Sequence, residues 1–432
     1  MKRKVVAFVP AKGNSSRIES KNLKLLDGKP LFLHSIEKLM KCDFIDEVYL
    51  DTESDEVIDL ALASGCKIMN RDPMLACNKT DGNKLFLNEV NFVEADIYIQ
   101  LLGTSPFIES KTIKKAVECV LNGKHDSATL VSSQKQYEWD DNGPKYDVNS
   151  IPNSVDIPDT IIETMGLYVV SREAALKTGC RIGEKPLKIF ASALEAIDVN
   201  FPDEFVLANF VASGIREDER KLYQNIKTHL SSATLSDILD DMGIQGVVLG
   251  YKPNLPKSKI FGRAKTLKIR KKYDDEPMEG IYSALKSYQT IVPGDVIVVE
   301  NEVSDYAYFG ELNANLAIRS GASGALIGGK TRDSIEVEKL GFPVYSSGYA
   351  CADVRNRAVM ESYNKNINFD GIQVSPGDLV LADQDGIVFI PSKYEVAVLK
   401  RVFEAVTTEN TILHDIALGK SEDDIIRNNG NF

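Results

Sequence analysis

Short apolar runs alternate with amphipathic segments along the first two hundred residues of the chain. Residues 6–9 (VAFV) form an apolar run that Pro10 and Gly13 bring to an end. A continuous apolar run of this length is typical of a strand buried on both faces, as in a parallel sheet. The same reasoning predicts further strands or extended segments at 47–51, 66–69, 95–102 and 127–133.

Segments with helical spacing separate these strands. Ser54 is a favourable N-cap for a helix that extends to Ala63, because its hydroxyl can accept a hydrogen bond from a backbone N–H of the first turn. Further helices are predicted at 110–121 and 204–212. The repeated β-α-β order predicts a mostly parallel, three-layer α/β sheet that binds ligands at the carboxyl ends of its strands.

The loop after the first strand has the chemistry of an anion site. Lys12, Arg17 and Lys21 are spaced along it among small polar residues, with a single acid. Backbone N–H groups and small side chains let a phosphate approach, and the cations neutralise its charge. Arg71 and the turn at 104–105 also follow predicted strands. A phosphate site is therefore favoured over the alternative, which is an ordinary surface loop.

Length, charge and cysteine usage exclude several classes of protein. A chain of 432 residues predicts two or three domains, and a net charge of −12 disfavours a nucleic-acid partner. The six cysteines and four histidines are scattered, which favours reduced thiols and disfavours a zinc site. No apolar run approaches a secretory signal or a membrane span. We expect a cytoplasmic protein without a membrane partner.

Four motifs in the first half resemble those of cytidylyltransferases of the CMP-sialic acid synthetase type. In chain order they are VPAKGNSSRIESKN with the following LDGKPL, then NRDP, LLGTSP and EAIDVNFPD. The resemblance covers roughly half of the chain. It implies a Rossmann-like nucleotidyltransferase domain over residues 1–215. Its expected reaction is attack of an acidic acceptor on CTP, which forms a CMP derivative and releases pyrophosphate.

The resemblance also implies roles for individual residues. Lys21 and Arg17 are expected to be catalytic, and Arg181 offers an anion contact for binding the acceptor. Asp198 would hold Mg²⁺ or Mn²⁺, because hard cations prefer oxygen ligands, and its alternative role is to cap the next helix. The residues expected to bind the nucleotide are Lys12, Gly13, Asn14, Ser15, Arg17, Lys21, Asn22 and Arg71.

Three positions depart from the pattern of the sialate enzymes. Asn200 stands where many relatives have a second metal-binding aspartate, Ser16 replaces a lysine, and Leu102 replaces a glutamine. The segment 134–162 also lacks the paired arginines of those enzymes. The expected acceptor is therefore an acid such as a keto-deoxy sugar acid, a phosphonate or a phosphate, and the sequence leaves these alternatives open.

A charged, helix-prone segment separates the two halves. Residues 213–227 (SGIREDERKLYQNIK) contain little Gly and no Pro, which predicts a connecting helix at 216–230 rather than a flexible linker. A second domain is predicted over 231–432. Its β-rich order predicts an α/β layered swivel, with helices at 233–239 and 312–320 and strands at 262–269, 293–300, 325–327, 376–382 and 385–391.

The second half resembles the family that contains the RraA regulator of RNase E and the metal-dependent 4-hydroxy-4-methyl-2-oxoglutarate aldolases. The matching motifs are GEL at 310–312, GGKTRD at 328–333, GFPV at 341–344 and two Pro-Gly-Asp strands. The aldolases have an acid 20 residues ahead of an Arg-Asp pair, and the regulators lack it. Glu311, Arg332 and Asp333 show the aldolase spacing.

This second resemblance implies cleavage of a 2-oxo acid to pyruvate. Asp333 would hold Mg²⁺ largely through waters, and Arg332 would stabilise the enolate together with the metal. Glu311 would act with a water as general acid/base. Backbone amides near Leu312 and Asn313 are expected to hold the substrate carboxylate at a helix N-terminus.

Two interpretations of the second domain stay open on the sequence alone. The first is an aldolase, which makes the chain a bifunctional enzyme with CTP, an acidic acceptor and a 2-oxo acid as small-molecule partners. The second is a non-catalytic trimerisation or regulatory module in which Arg332 and Asp333 form a surface ion pair. The resemblance implies a homo-oligomer, trimeric or hexameric, with Glu409 as the acid that a neighbouring subunit supplies.

Overall fold

The chain divides into two compact units in the computed structural model. Unit 1 comprises Met1–Ser213 and unit 2 comprises Gly214–Phe432. The structure describes residues 3–77, 79–417, 420, 424 and 427, with side chains except those of 278, 279 and 407–417.

The strands of unit 1 confirm the predicted α/β architecture. Seven of its described strands form one sheet in the order β11-β7-β10-β6-β1-β4-β5. The strands are β1 Val5–Pro10, β2 Leu25–Leu26, β3 Lys29–Pro30, β4 Glu47–Thr52, β5 Lys67–Asn70, β6 Ile97–Leu101, β7 Ser127–Gln134, β8 Trp139–Asp140, β9 Gly143–Pro144, β10 Thr160–Ser171 and β11 Pro186–Phe190.

Helices connect these strands, and those at Asp55–Ala61 and Ser110–Leu121 lie close to predicted positions. The helices at Leu31–Met40, Gly82–Phe92 and Arg172–Thr178 were not predicted. The hydroxyl of Ser54 accepts a hydrogen bond from the N–H of Val57, as expected of an N-cap. The helices are α1 Leu31–Met40, α2 Asp55–Ala61, α3 Gly82–Phe92, α4 Ser110–Leu121, α5 Arg172–Thr178 and α6 Pro202–His229, with short 3₁₀ turns at Lys21–Leu23, Leu62–Ser64 and Pro73–Ala76. The predicted helices at 204–212 and 216–230 form the single helix α6, whose residues from Gly214 onward belong to unit 2.

One strand differs from the expected parallel order. β10 runs antiparallel to both of its neighbours, β6 and β7. The chain between β7 and β10 contains the short β8–β9 hairpin and no helix. A parallel neighbour needs a crossover connection, usually a helix, whereas a direct return places the second strand antiparallel. The register of β10 also shifts between Glu163 and Tyr168.

Side chains of β1 enter a separate apolar cluster on each face of the sheet. Val5, Ala7 and Val9 pack with residues of α1 and α4. Val6 and Phe8 pack on the opposite face with residues of α3 and α5. Both faces are therefore covered, which confirms the three-layer arrangement and explains why the first apolar run does not alternate.

Unit 2 has a larger mixed sheet. Its described path is β12-β24-β23-β14-β15-β16-β18-β13, and β20 pairs with β14. The strands are β12 Val247–Val248, β13 Lys252–Pro253, β14 Ile260–Lys271, β15 Val296–Asn301, β16 Gly324–Ile327, β17 Lys330–Thr331, β18 Val344–Ser346, β19 Gly348–Tyr349, β20 Ala358–Tyr363, β21 Ile367–Phe369, β22 Ile372–Val374, β23 Leu379–Ala382 and β24 Ile387–Ile390.

The helices of unit 2 pack on this sheet. They are α7 Ser232–Asp241, α8 Glu311–Ser320, α9 Ser334–Lys339 and α10 Glu395–Ala417, with a 3₁₀ segment at Met278–Thr290. The predicted connecting segment 216–230 belongs to unit 2. Its Tyr223, Ile226 and Leu230 are buried with Leu235 and Phe261, so these residues contribute to the core of that unit.

Candidate functional site

The loop after β1 is fixed to the sheet by its glycine. The N–H of Gly13 donates to Glu53 Oε1 over 2.8 Å. A Cβ atom at position 13 would lie 2.7 Å from Cβ of Ser54. A side chain would therefore force the loop away from the first turn of α2. In this structure Gly13 serves to hold the loop against Glu53 and Ser54.

Asn22 fixes the backbone at the start of the same loop. Its side chain is buried, and its Nδ2 donates to the carbonyl oxygen of Lys12 over 2.8 Å. Within the loop, Asn14 Oδ1 accepts from the N–H of Ser15 at 2.9 Å. These local bonds hold the small polar residues in a defined turn. Asn22 and Asn14 thus shape the loop that sequence reasoning assigned to the nucleotide.

Lys21 and Asp198 meet through Asn200. Lys21 is only 6% exposed, and its Nζ donates to the carbonyl of Val199 over 2.9 Å and to Asn200 Oδ1 over 3.3 Å. Asn200 Nδ2 in turn donates to Asp198 Oδ2. The amide at position 200 therefore joins an ammonium group and a carboxylate. The structure brings residues from the start and end of unit 1 into one site.

Positive charge is concentrated around Lys21. Burial and the charges of Arg17 and Lys12 lower the pKa of Lys21 from 10.5 to about 8, while Asp198 and Glu204 oppose this shift. Cations that destabilise one another in this way create a site that an anion relieves. Arg17 also lies over the ring of Phe201, 5.6 Å from its centroid. The cluster has the electrostatics of a phosphate site.

Asp198 is held by the turn after β6. Ser105 Oγ donates to Asp198 Oδ1 over 3.3 Å, and the N–H of Val199 donates to the carbonyl of Thr104 over 2.8 Å. A Cβ atom on Gly166 would lie 2.5 Å from Ser105 Oγ. The glycine in the irregular part of β10 thus leaves room for the serine that orients Asp198.

The donor set around Asp198 fits a magnesium ion held mainly by substrate. Mg²⁺ commonly binds through one or two carboxylates, substrate phosphates and several waters. Asp198 is half-buried and supplies one carboxylate beside the cationic loop. Across the described side chains, no three His, Cys, Asp or Glu groups converge as metal ligands. Asp198 offers an oxygen ligand of the kind that a hard divalent cation prefers.

Arg71 occupies a buried position between two acids. Its Nε donates to Asp51 Oδ1 over 2.9 Å, and its Nη2 donates to the carbonyl of Asp51 over 2.7 Å. Nη1 lies 3.9 Å from Glu53 Oε2. Since Glu53 also binds Gly13, Arg71 connects the end of β5 with the cationic loop. Its observed contacts are with the protein, and a direct contact with a nucleotide stays a prediction.

Arg181 lies on an aromatic ring near the same end of the sheet. Its guanidinium carbon is 4.2 Å from the ring centroid of Tyr168, and Nη1 lies 3.4 Å from Gln100 Oε1. A Cβ atom on Gly82 would lie 2.4 Å from Cζ of Arg181. The ring of Tyr168 and the amide of Gln100 hold the guanidinium at this end of the sheet.

In unit 2, the carboxylate of Asp333 lies at the N-terminus of α8. Asp333 has a left-handed backbone conformation, with φ of 53°. Its Oδ2 accepts a hydrogen bond from the N–H of Glu311 over 3.1 Å. A Cβ atom on Gly310 would lie 2.4 Å from this oxygen. The glycine of the GEL motif therefore permits the contact between carboxylate and helix.

Arg332 has two acidic neighbours. Its Nη1 lies 2.7 Å from Asp353 Oδ2, and its Nε lies 3.6 Å from Asp333 Oδ2. The side chains of Arg332 and Asp333 are 38% and 39% exposed, so both remain open to solvent. A small pocket beside Arg332 is also lined by Phe309, Thr331, Ser334 and Tyr349. Asp353 orients the guanidinium at the edge of this pocket.

The remaining predicted residues of unit 2 lie in the first turn of α8. Leu312 is 78% exposed, and Asn313 donates its Nδ2 to the carbonyl of Tyr308 over 2.8 Å. Glu311 is exposed beside them. The structure thus brings Glu311, Asp333 and the start of α8 together. The side chain of Glu409 lies outside the described residues.

Two buried polar residues of unit 1, Gln100 and Glu89, were not predicted from the sequence. Gln100 lies within the apolar strand IYIQL, and Glu89 lies on α3 between the core positions Phe86 and Val90. Glu89 Oε2 accepts from Gln100 Nε2 over 2.7 Å. A polar residue inside an apolar run was the available signal. Gln100 lies two residues before Leu102, which stands where the sialate enzymes have a glutamine.

Two family models match the chain. The cytidylyltransferase model matches residues 6–175, and the Aldolase/RraA model matches residues 232–389. Each match lies inside one structural unit, and each covers less than half of the chain. They confirm both resemblances that the sequence motifs indicated.

Individual relatives match parts of the chain. Protein DlpA of Legionella pneumophila is 27% identical over 192 residues, covering 44% of this chain and 31% of its own length. A 3-deoxy-manno-octulosonate cytidylyltransferase of Chlorobium phaeobacteroides is 31% identical over 115 residues, covering 27% and 45%. The chain thus spans less than half the length of each of these two relatives.

A solved structure also matches part of the chain. It is RraAS2 of Streptomyces coelicolor, titled an unusual member of the RNase ES inhibitor RraA protein family. It is 26% identical, with a TM-score of 0.39, and covers 44% of this chain and 94% of that chain.

No helix within the described ranges is both long and apolar enough to cross a membrane.

Proposed function

We propose that the domain at residues 1–215 is a CTP-dependent cytidylyltransferase that activates an acidic acceptor. The observation that carries this proposal is the cation cluster of Lys12, Arg17 and Lys21 beside the carboxylate of Asp198. This arrangement suits a triphosphate with its divalent cation. The match of residues 6–175 to the cytidylyltransferase model supports the same conclusion.

The proposed reaction is one displacement at phosphorus. An oxygen of the acceptor attacks the α-phosphorus of CTP, the bond from that phosphorus to the bridging oxygen breaks, and pyrophosphate leaves with its electron pair. The acceptor loses its proton if the attacking group is a hydroxyl. Such transfers depend on positioning and charge neutralisation more than on covalent catalysis.

The residues of unit 1 divide this work. Lys21, Lys12 and Arg17 neutralise the phosphates, and Lys21 is kept in place by Asn200 and the carbonyl of Val199. Asp198 would hold Mg²⁺ or Mn²⁺, which would supply further neutralisation of the phosphate charge. The hydrogen bonds of Gly13 and Asn22 hold the loop, and with it these cations, at the ends of the strands.

Arg181 is the proposed contact for the acid group of the acceptor. Its guanidinium is stacked on Tyr168 and near Gln100, so its planar face is fixed while donors remain for a ligand. Arginine binds carboxylates and phosphates through paired N–H donors. A keto-deoxy sugar acid, a phosphonate and a phosphate all present such a group. The first of these is the favoured class.

An acceptor screen tests this function. Purified full-length protein is supplied with CTP, Mg²⁺ and one candidate acid at a time, and pyrophosphate release is followed. We expect release with a keto-deoxy sugar acid and at least a tenfold loss of kcat/KM when Lys21 is changed to Met. Pyrophosphate release with a phosphonate or a phosphate, and not with a keto-deoxy sugar acid, would favour the alternative acceptor class. No release with any acid would contradict the proposal.

For the domain at residues 231–432 we propose a divalent-metal-dependent pyruvate aldolase. The observation in its favour is the cluster of Glu311, Arg332 and Asp333 at the N-terminus of α8. The C3–C4 bond of a 4-hydroxy-2-oxo acid would break, leaving its electron pair on C3 of pyruvate enolate. The 4-hydroxyl would lose its proton to a water polarised by Glu311, and C3 would gain a proton.

The residues of this site have complementary tasks. Mg²⁺ bound near Asp333 would supply Lewis-acid stabilisation of the enolate oxygen. Arg332, oriented by Asp353, adds positive charge, and the N–H groups at Leu312 and Asn313 would receive the substrate carboxylate. The alternative is a non-catalytic trimerisation or regulatory module, which matches a family model named for both aldolase and RraA.

Two measurements separate these alternatives. Pyruvate formation from 4-hydroxy-2-oxo acids is assayed with Mg²⁺, and the wild type is compared with Arg332→Ala. The aldolase is supported if the variant loses pyruvate formation, and is contradicted if the variant equals the wild type. Light scattering of the full chain tests the homo-oligomer, trimeric or hexameric, that we propose as its assembly. We also propose a cytoplasmic location for the protein and a connecting role for residues 216–230.

A further inference from the structure

Two buried carboxyl groups of unit 1 each have an oxygen without a hydrogen-bond partner among the described residues. Asp51, at the end of β4, and Glu89, on α3, are both 0% exposed. Among the described residues, Asp51 Oδ2 and Glu89 Oε1 have no hydrogen-bond partner. β4 and β6 flank β1, and their register places Asp51 and Gln100 on the face of the sheet that α3 covers, where Glu89 lies. Two ionised carboxylates could not satisfy this arrangement.

The other oxygens of this pair are occupied on opposite sides. Asp51 Oδ1 accepts from Arg71 Nε over 2.9 Å. Glu89 Oε2 accepts from Gln100 Nε2 over 2.7 Å. Only Asp51 Oδ2 and Glu89 Oε1 are left to share a hydrogen. A single proton placed between them would satisfy both buried atoms.

A proton on the pair reduces the excess of negative charge around it. Arg71 faces Asp51 from the end of β5, and Glu53 lies beyond the same guanidinium. Gln100 faces Glu89 from β6 and is neutral. Arg71 is therefore already shared by the carboxylates of Asp51 and Glu53 before Glu89 is counted. An ionised Glu89 would be a further buried charge without a cation of its own.

We propose that Glu89 is a protonated positioning residue that donates a hydrogen bond to Asp51 and so connects the nucleotide side with the acceptor side of the site. On one side, Asp51 orients Arg71, which lies beside the Glu53 carboxylate that binds Gly13. On the other side, Glu89 orients Gln100, which faces Arg181. The proposal rests on the proposed cytidylyltransferase function.

The electrostatics of the site agree with this geometry. Burial and the neighbouring Asp51 carboxylate raise the pKa of Glu89 well above its usual value, against the opposing effects of Gln100 and Arg71. An acid that keeps its proton in the folded state and loses it when unfolded makes folding less favourable as pH rises. The fold should therefore lose stability between the ordinary pKa of a glutamate and the raised pKa of Glu89.

Infrared spectroscopy of the wild type and Glu89→Gln tests the proton directly. We expect the wild type at neutral pH to show the C=O stretch of a protonated carboxyl group, and Glu89→Gln to lack it. Glu195→Gln is the control, because Glu195 is held as an acceptor by the N–H groups of Glu109 and Ser192 and should leave the band unchanged. Absence of the band from the wild type would overturn the proposal.

Kinetics and stability test the positioning role. Glutamine can donate to Asp51 and accept from Gln100, so Glu89→Gln should stay within about threefold of wild-type kcat/KM, whereas Glu89→Leu should lose tenfold or more through the KM values of both substrates. The unfolding midpoint of Glu89→Gln should also fall less than that of the wild type as pH rises. Equal KM values in Glu89→Leu and the wild type would overturn the positioning role.

The spectroscopic result does not depend on turnover. A protonated band that disappears in Glu89→Gln would support the acid pair even if no acceptor were cytidylylated, and that second result would contradict the proposed function alone.

Discussion

Gly310 and Asp333 lie so close together that a side chain at position 310 would displace the carboxylate of Asp333. A Cβ atom there would lie 2.4 Å from Asp333 Oδ2, the oxygen that accepts from the N–H of Glu311. The left-handed conformation of Asp333 turns its carboxylate toward the helix. The position of the proposed metal-binding acid therefore depends on a glycine 23 residues earlier in the chain.

Gly310→Ala should separate this carboxylate from α8. The new methyl group would displace Asp333, and the N–H of Glu311 would lose its acceptor. We expect pyruvate formation to fall at least tenfold and the free energy of unfolding of unit 2 to fall by about 1 kcal/mol, as for loss of a helix cap. Activity assays with Mg²⁺ and denaturant unfolding would measure both effects.

Gly214→Ala is a matched control for this experiment. A Cβ atom at Gly214 would meet nothing within 4 Å, and alanine is favourable inside a helix. We expect full activity and equal or greater stability. If Gly310→Ala behaved like Gly214→Ala, the contact with Asp333 would not matter to the site.

The charge of Lys21 should determine how kcat/KM for CTP changes with pH in the alkaline range. Its pKa is lowered to about 8 by burial and by Arg17 and Lys12, so the free protein loses this positive charge as pH rises through that value. The kcat/KM for CTP should therefore fall above about pH 8 and approach roughly a tenfold loss per pH unit. Initial rates at subsaturating CTP across pH measure this profile.

Lys21→Arg is the diagnostic variant for this profile. Arginine stays charged throughout the range, so the variant should have a lower rate at neutral pH, because its geometry differs, but no fall near pH 8. An unchanged alkaline fall in Lys21→Arg would assign the titration to another group.

Asn200→Asp should strengthen metal binding in unit 1. The amide now donates to Asp198 Oδ2 and accepts from Lys21. An aspartate would keep the contact with Lys21 and add a second carboxylate, and divalent-cation affinity rises with ligand charge. We expect the Mg²⁺ concentration at half-maximal rate to fall about tenfold at fixed CTP.

Asn200→Ala provides the comparison for this prediction. It removes the amide without adding charge, so Mg²⁺ dependence should stay equal or weaken. A decrease in the half-saturating Mg²⁺ concentration in both variants would mean that loss of the amide, and not the added carboxylate, caused the effect.

Gly82→Ala should weaken binding of the acceptor without changing any charge. Its methyl group would lie 2.4 Å from Cζ of Arg181 and push the guanidinium off the Tyr168 ring. A cation–π contact and a directed ion pair are worth about 1–2 kcal/mol, which corresponds to roughly a tenfold higher KM for the acceptor. The KM for CTP should stay within about twofold, and steady-state kinetics with each substrate varied would show this.

Gly214→Ala again serves as the control, since it adds a methyl group in open space. A rise in the KM for CTP equal to that for the acceptor would indicate a general disturbance of unit 1 and contradict the role of Arg181.

Local patterns in the sequence predicted the buried central strands and several of the helices. The bounds of α4, Ser110–Leu121, coincide with the predicted helix, and Ser54 caps α2 as expected. These features depend on residues within one or two turns of each other. The direction of β10 did not follow from such a pattern, because it depends on how the chain returns after β7.

In the candidate site, too, the sequence indicated the functional residues but not their distant partners. The cations of the first loop, Asp198 and the Glu311, Arg332 and Asp333 set were identified from motifs and spacing. The partners of these residues were not, because Asn200, Glu53 and Gly82 acquire their roles through contacts with distant parts of the chain.

The sequence by itself determined the alternation of buried strands with helices, the presence of two α/β units and the residue types available for phosphate and metal chemistry. Apolar periodicity, capping and turn residues act over short distances, so they can be read from neighbours in the chain. Only the tertiary structure decided that Glu89 meets Asp51 and that Arg181 lies on Tyr168. Such pairs form because the sheet brings its strand ends together, and burial then requires each polar atom to find a partner.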